Sequence, residues 1–267
     1  MTENIAVAGS AGRMGRQLIK AAYAAGHQVI GGSEAPASPD IGADLGVLAG
    51  LERLGVAATD QITTATSGAG VWIDFTVPGA TLSALSALKA AGVRAAVIGT
   101  TGFNETQESE IADAACDLAI VKAGNFSLGV NLLEALVKEA AARLGSDWDI
   151  EIAEAHHRYK VDAPSGTALM LGEAAAAGRG KRLKDIQSAP YDGPSAKREP
   201  GKIGFSVTRT GGVIGEHEVS FGSEMEIVSL RHTALDRAVF AHGAIKAAEW
   251  VAMQPSGLYD VSDVRGL

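Results

Sequence analysis

From Asn4 to Val121, short apolar runs alternate with helix-length stretches, and this alternation restricts the fold more than any other feature of the chain. The pattern predicts strands at Asn4–Ala8, at His27–Gly31 (ending in Ser33-Glu34), and at Val71–Phe75, Ala95–Ile98 and Leu118–Val121. It predicts helices over residues 13–25, 79–91 and 105–115. Residues 36–50, rich in glycine and proline, form a loop with one short apolar piece. Strands that are apolar along their length and separated by helices assemble into a parallel sheet covered on both faces.

The pattern changes after Asn125. A long helix (Val130–Leu144) precedes a strand, Trp148–His156, in which Trp148, Ile150 and Ile152 alternate with acidic residues. A helix restarts at Ser165, and a polar loop over 179–201 holds three of the eight prolines. Three alternating runs, Gly204–Thr210, Glu216–Phe221 and Glu226–His232, predict antiparallel strands of one sheet with a solvated or partner-covered face. Phe240, Ile245, Ala248 and Val251 mark a last amphipathic helix over 238–252. A chain of 267 residues accommodates two compact domains or one large one.

Gly9-x-x-Gly12-x-x-Gly15 joins the first strand to the first helix. A tight glycine turn at that place lets a pyrophosphate approach backbone amides. The spacing departs from G-x-G-x-x-G, and a plain strand–helix turn also needs glycine; the alternating β/α context raises the signal. Glu34, 22 residues after Gly12, ends the second strand, where a carboxylate accepts hydrogen bonds from ribose hydroxyls. Such a carboxylate repels the 2′-phosphate of NADP, and Ala35 supplies no cation to counter it. NADH is therefore the expected preferred cofactor, with Arg13 and Arg16 leaving NADPH as a second.

Gly99-Thr100-Thr101-Gly102 and Ala123-Gly124-Asn125-Phe126 follow two further strands. Singly each is an ordinary turn. Together at the C-terminal edge of a parallel sheet, they favour a cofactor cleft.

The chemistry-bearing stretch is Glu154-Ala155-His156-His157-Arg158-Tyr159-Lys160-Val161-Asp162-Ala163-Pro164-Ser165-Gly166-Thr167. A strand, a cationic loop and a helix start together make a pocket for a small anion. Histidine titrates near neutrality, so acid–base work is the reading of this loop, against the plain alternative of a solvated charge run. His156 and Lys160 would stand roughly 13 Å apart on a continued strand, so sharing a substrate requires a turn after His157. Ser165 lacks a nucleophile elbow and suits helix capping and carboxylate binding.

Net charge is −8, which argues against a nucleic-acid or anionic-membrane surface. No run approaches the roughly 20 apolar residues that cross a bilayer, and the start lacks a signal-peptide pattern. The chain reads as cytoplasmic. Adjacent strand histidines point to opposite faces, and His217, His232 and His242 have no partner motif, so no metal site is expected. The single cysteine, Cys116, reads as a buried structural thiol at a helix end.

With these pieces in place the chain resembles the dihydrodipicolinate reductase family of diaminopimelate and lysine biosynthesis, over essentially its whole length. The resemblance is carried by Gly12-Arg13-Met14-Gly15-Arg16, Asp74-Phe75-Thr76, Gly99-Thr100-Thr101-Gly102 and Asn125-Phe126-Ser127, and most specifically by residues 154–168. Arg209-Thr210-Gly211-Gly212, Gly215-Glu216-His217-Glu218-Val219 and Gly257-Leu258-Tyr259 add to it.

The resemblance implies an α/β protein: a Rossmann-type parallel-sheet nucleotide domain (1–126 and 238–267) and an α+β substrate-binding and oligomerisation domain (127–237) with a mostly antiparallel sheet. His156 would be proton donor and acceptor and Lys160 a second donor. His157, Ser165, Gly166, Thr167 and Thr101 would hold a small dicarboxylate substrate. Nucleotide contacts would fall on Gly9, Ser10, Ala11, Gly12, Arg13, Met14, Glu34, Gly99, Thr100, Thr101, Ala123, Gly124, Asn125 and Phe126. NAD(P)H would reduce a cyclic conjugated imine in a homotetramer whose cleft closes on binding. Another nicotinamide-dependent reductase, and a non-catalytic dinucleotide sensor, are the competing readings.

Overall fold

The structure, a computed structural model, describes residues 2–194 and 196–264. Residues 1, 195 and 265–267, which fall within the expected domain spans, lie outside the described residues. The chain divides into two compact units, Met1–Leu128 with Arg237–Leu267, and Gly129–Asp236.

The first unit runs β1 (Asn4–Ala8), α1 (Arg13–Ala24), β2 (Gln28–Ser33), α2 (Leu45–Leu48), β3 (Ala58–Thr59), α3 (Ile62–Ala65), β4 (Val71–Asp74), α4 (Pro78–Leu88), β5 (Ala95–Ile98), α5 (Glu105–Ala114) and β6 (Ala119–Lys122). Its seven strands pair in parallel in the order β11-β6-β5-β4-β1-β2-β3, where β11 (Gly257–Tyr259) comes from the C-terminal segment. Strand periodicity sorts the apolar residues to two faces. Ile5, Val7, Val71 and Ile73 join the core with Leu18 and Ile19 of α1. Ala6, Trp72 and Ile98 face the other way, toward Leu85 and Leu88 of α4 and Ile111 of α5. The strand order reverses direction at β1, so the C-terminal ends of β1 and β4 border the crevice where open parallel sheets bind ligands.

In the second unit α6 (Leu128–Arg143), whose first residue belongs to the first unit, leads to β7 (Asp149–His156), α7 (Gly166–Gly178), α8 (Leu183–Ile186), β8 (Ile203–Arg209), β9 (Glu216–Gly222) and β10 (Ile227–Thr233). The sheet order is β10-β9-β7-β8. The sequence pattern predicts three antiparallel strands here; only β9 and β10 pair that way with each other, and β8 lies parallel to β7. The long connection through α7 and α8 supplies the crossover that a parallel pair needs. Leu133 and Val137 of α6 and Leu171 and Ala175 of α7 cover Ile150 and Ile152 of β7. The inward face of β7 then ends in two ionisable groups, Glu154 and His156.

The chain returns to the first unit through α9 (Ala238–Val251), whose Ala244, Ile245, Ala248 and Val251 share a core with α1. Cys116 is exposed, contrary to expectation, because α5 has already ended and the chain turns outward before β6. No helix among the described residues is long and apolar enough to cross a membrane.

Candidate active site

In the first unit the backbone builds most of the site. Gly9 takes φ +58°, a conformation glycine adopts at little cost, and its carbonyl accepts from Gly12 N at 2.9 Å. A Cβ on Gly15 would stand 2.1 Å from that same carbonyl, so α1 can approach the turn only with glycine there. Gly12 caps α1 without a side-chain acceptor, which leaves the helix start to an incoming anion.

Arg13 and Arg237 line one cavity of about 340 Å³ beside this turn, with Gly12, Phe75, Thr76 and Phe240. Burial, and then the neighbouring Arg13, push the Arg237 guanidinium below its ordinary value. Neither arginine has an ion-pair partner among the described residues. Arg237 escapes sequence reasoning because it follows the predicted strands without any motif around it.

Other expected contacts are placed unevenly. Glu34 reaches back so that its Oε1 accepts from Ala11 N at 2.6 Å, beside the turn. Ser10 is fully buried, and its N and Oγ both donate to the Ser33 carbonyl, so its side chain cannot meet a ligand. Thr100 is buried too: its Oγ donates to Asp74 Oδ1 at 3.2 Å and accepts from Thr76 N at 3.0 Å. Thr101 is exposed at the sheet edge. Asn125 Oδ1 accepts from Ser127 N at 2.8 Å, and the buried Phe126 ring packs 5.3 Å from Phe75. Ser10, Thr100 and Phe126 therefore offer a ligand backbone rather than side chain. Ala123 and Gly124 continue this edge after β6.

The second unit gathers side chains. Glu154 is 3% exposed and His156 8%. His156 Nδ1 lies 2.6 Å from Glu154 Oε2, and Ser165 N donates to Glu154 Oε1 at 2.9 Å. Arg209, opposite His156 on β8, clasps the same carboxylate with Nη1 at 2.7 Å and Nη2 at 2.8 Å. The His217 ring meets the His156 ring edge-on at 5.1 Å and its Nε2 lies 3.0 Å from Ser165 Oγ. Burial raises Glu154, but its bonds from Arg209, His156 and Ser165 outweigh that and hold it below the usual carboxylate range. Burial lowers His156 despite the opposing pull of Glu154. His217 is pushed down to about 4, by burial first and then by His156.

The chain turns after His157, with Lys160 N donating to the His157 carbonyl at 3.1 Å, so Lys160 does not run on along a strand. Its ammonium is held by both oxygens of Asp162 at 2.8 Å. Ser165 caps α7 by accepting from Ala168 N at 3.1 Å. Its N–H and hydroxyl are engaged with Glu154, His217 and Ala168. Gly166 and Thr167 form the first turn of α7, where the helix carries partial positive charge. Glu154, Arg209 and His217 were not singled out as site residues; the glutamate two positions before His156 was the one visible signal. Among the described residues no cluster of three or more His, Cys, Asp or Glu could hold a metal.

Comparison with known proteins is consistent across the chain. Residues 3–126 match the family model for the N-terminus of dihydrodipicolinate reductase, and residues 129–264 that for its C-terminus. A 4-hydroxy-tetrahydrodipicolinate reductase of Parvibaculum lavamentivorans is 51% identical over 265 residues, covering 98% of this chain and 97% of that relative. One of Dinoroseobacter shibae is 50% identical over 264 residues, 98% of each. Among solved structures, a dipicolinate-bound dihydrodipicolinate reductase from Paenisporosarcina sp. TG-14 has a TM-score of 0.74 at 24% identity, over 97% of this chain and 98% of that one. An amine dehydrogenase of Mycobacterium smegmatis has a TM-score of 0.68 at 14% identity, over 98% and 95%. At these identities the structural likeness is one of fold.

Proposed function

We infer the function from one premise: the chain belongs to the dihydrodipicolinate reductase family. It is a nicotinamide-dependent oxidoreductase that reduces 4-hydroxy-tetrahydrodipicolinate, or the dihydrodipicolinate derived from it, to tetrahydrodipicolinate in lysine biosynthesis. The observation that carries the site assignment is the buried Glu154–His156 pair beside the start of α7.

The first unit fits a dinucleotide. Two unpartnered arginines, Arg13 and Arg237, suit its pyrophosphate, and the uncapped start of α1 adds backbone donors. Gly99, Thr100, Thr101 and Ala123–Phe126 would line the rest of the cleft. When bound, the reduced nicotinamide supplies hydride.

Helix α7 at Gly166 and Thr167, with His157, would bind the substrate's carboxylates, and Thr101 is assigned to substrate by the family pattern. Hydride added to the electrophilic carbon of the conjugated imine shifts an electron pair along the ring. His156 gives that pair its proton, and Lys160 stands as a second donor once substrate carboxylate competes for it with Asp162. NADH is the proposed preferred cofactor. Glu34 sets a carboxylate beside the turn, and Arg16 is engaged with the Ala11 carbonyl at 2.7 Å rather than available to a 2′-phosphate.

The exposed Val207, Ile227 and Val228 on β8 and β10 support assembly through this sheet into a homotetramer. Cytoplasmic placement belongs to the same proposal, since reduced nicotinamide is regenerated there.

The deciding experiment is a coupled assay with enzymatically made substrate, following nicotinamide absorbance with NADH and NADPH in parallel. The expected result is oxidation that depends on the cyclic dicarboxylate and is more efficient with NADH. Tight NADH binding without oxidation by any cyclic dicarboxylate would overturn it.

A further inference from the structure

We infer that Glu154 is a positioning residue: it fixes the tautomer and orientation of His156 and ties that imidazole to the anion-binding start of α7. The inference rests on the reading of His156 as proton carrier. Residues 154 and 156 share the inward face of β7, so carboxylate and ring lie side by side. The two oxygens divide the work. Oε2 takes His156 Nδ1 at 2.6 Å and Arg209 Nη1 at 2.7 Å; Oε1 takes Ser165 N at 2.9 Å and Arg209 Nη2 at 2.8 Å.

An ionised carboxylate only accepts hydrogen bonds, so the hydrogen sits on Nδ1 and the exchangeable proton belongs to Nε2. Gly215 keeps that nitrogen open, since a Cβ there would stand 3.2 Å from it. Arg209 serves the carboxylate as Glu154 serves the imidazole: its bidentate grip keeps Glu154 anionic although it is buried.

The groups facing His156 from every side are few. Glu154 on β7 favours the imidazolium. Lys160 on the turn and Arg209 on β8 oppose it, with Lys160 held by Asp162. His217 on β9, backed by His232 on β10, is held to its neutral form by burial. Among the described residues Glu154 is thus the one anion in contact with the ring, and losing it lowers the pH at which His156 gives up its proton.

Nitrogen NMR of the whole protein with 15N-labelled histidine tests this, with the His156 signals assigned by their loss in His156→Gln. The expected tautomer carries hydrogen on Nδ1. An Nε2–H tautomer overturns the proposal in the unaltered protein, whatever the variants do. In Glu154→Gln, kcat is expected to fall about 10- to 100-fold, the scale on which a histidine's outer partner acts. KM for the dinucleotide should hold, and the basic limb of the kcat profile should move to lower pH. Glu154→Asp, which keeps the charge, should restore that limb. A slower Glu154→Gln with unchanged limb and tautomer would make Glu154 merely structural and sink the proposal. If His156→Gln keeps full turnover, the proton-carrier reading fails instead, a result the tautomer measurement does not depend on.

Discussion

The glycine turn of the first unit and the histidine cluster of the second meet charge in opposite ways. The turn leaves its donors open: a helix start without a side-chain cap and two arginines that line one cavity with no ion-pair partner among the described residues. The cluster closes its donors on one another, with four hydrogen bonds converging on the Glu154 carboxylate. Open donors make a binding site, because a ligand completes them. Closed donors make a tuned site, because each proton position is set before substrate arrives.

The sharpest way to break this contrast is to remove the tuned acid. His156→Gln should lower kcat by roughly 10²–10⁴-fold. Lys160→Ala should also lower turnover, and both variants should keep the Kd for NADH measured by fluorescence titration. A parallel loss of NADH affinity would mean the two sites are not distinct in function.

Arg237→Ala tests the open site in turn. Loss of a charge-assisted bond worth about 1.5–3 kcal/mol should weaken NADH and NADPH together by roughly 10- to 100-fold, leaving their ratio unchanged. Gly15→Ala places a carbon against the Gly9 carbonyl. A destabilisation of about 1–3 kcal/mol, read by denaturant melts with NADH absent, is expected from such overpacking.

A pH dependence separates the units. His217, at about 4 in the folded protein against 6.5 for an ordinary histidine, binds its proton more readily when unfolded. Between those values the unfolded state holds more protons, so stability should fall as pH drops from 6.5 towards 4 and then level off for this group. Glu154, depressed in the fold, adds a further loss as pH falls through its folded value. In His217→Phe the loss between 6.5 and 4 should be shallower; an unaltered slope would remove His217 from the account.

The same contrast explains what could be read without coordinates. The turn is local: Gly9, Gly12 and Gly15 lie within seven residues, and the strands around them are apolar throughout. Ala95–Ile98 is a strand at the predicted bounds, because four apolar residues between two helices leave little choice. By contrast β3 and β11, at two and three residues, carry no periodicity at all. β8 runs antiparallel to β9 but is separated from it by β7, which alternation does not reveal because it records burial and says nothing of which neighbour a strand joins. Arg209 and His217 are 55 and 52 residues from their partners Glu154 and Ser165, a distance no local pattern spans. Cys116 is exposed because apolar neighbours inside a helix do not bury a residue two positions past its end.

The return of the chain through α9 and β11 has a consequence for biosynthesis. Ile245, Ala248 and Val251 fill the core beneath β4, β5 and β6, and Gly257–Tyr259 completes the sheet against β6. A nascent polypeptide must therefore emerge from the ribosome past residue 259 before its opening 128 residues can finish folding. A stop codon placed near residue 237 would do more than trim a tail: it would leave the earliest-made half waiting for a piece that never comes.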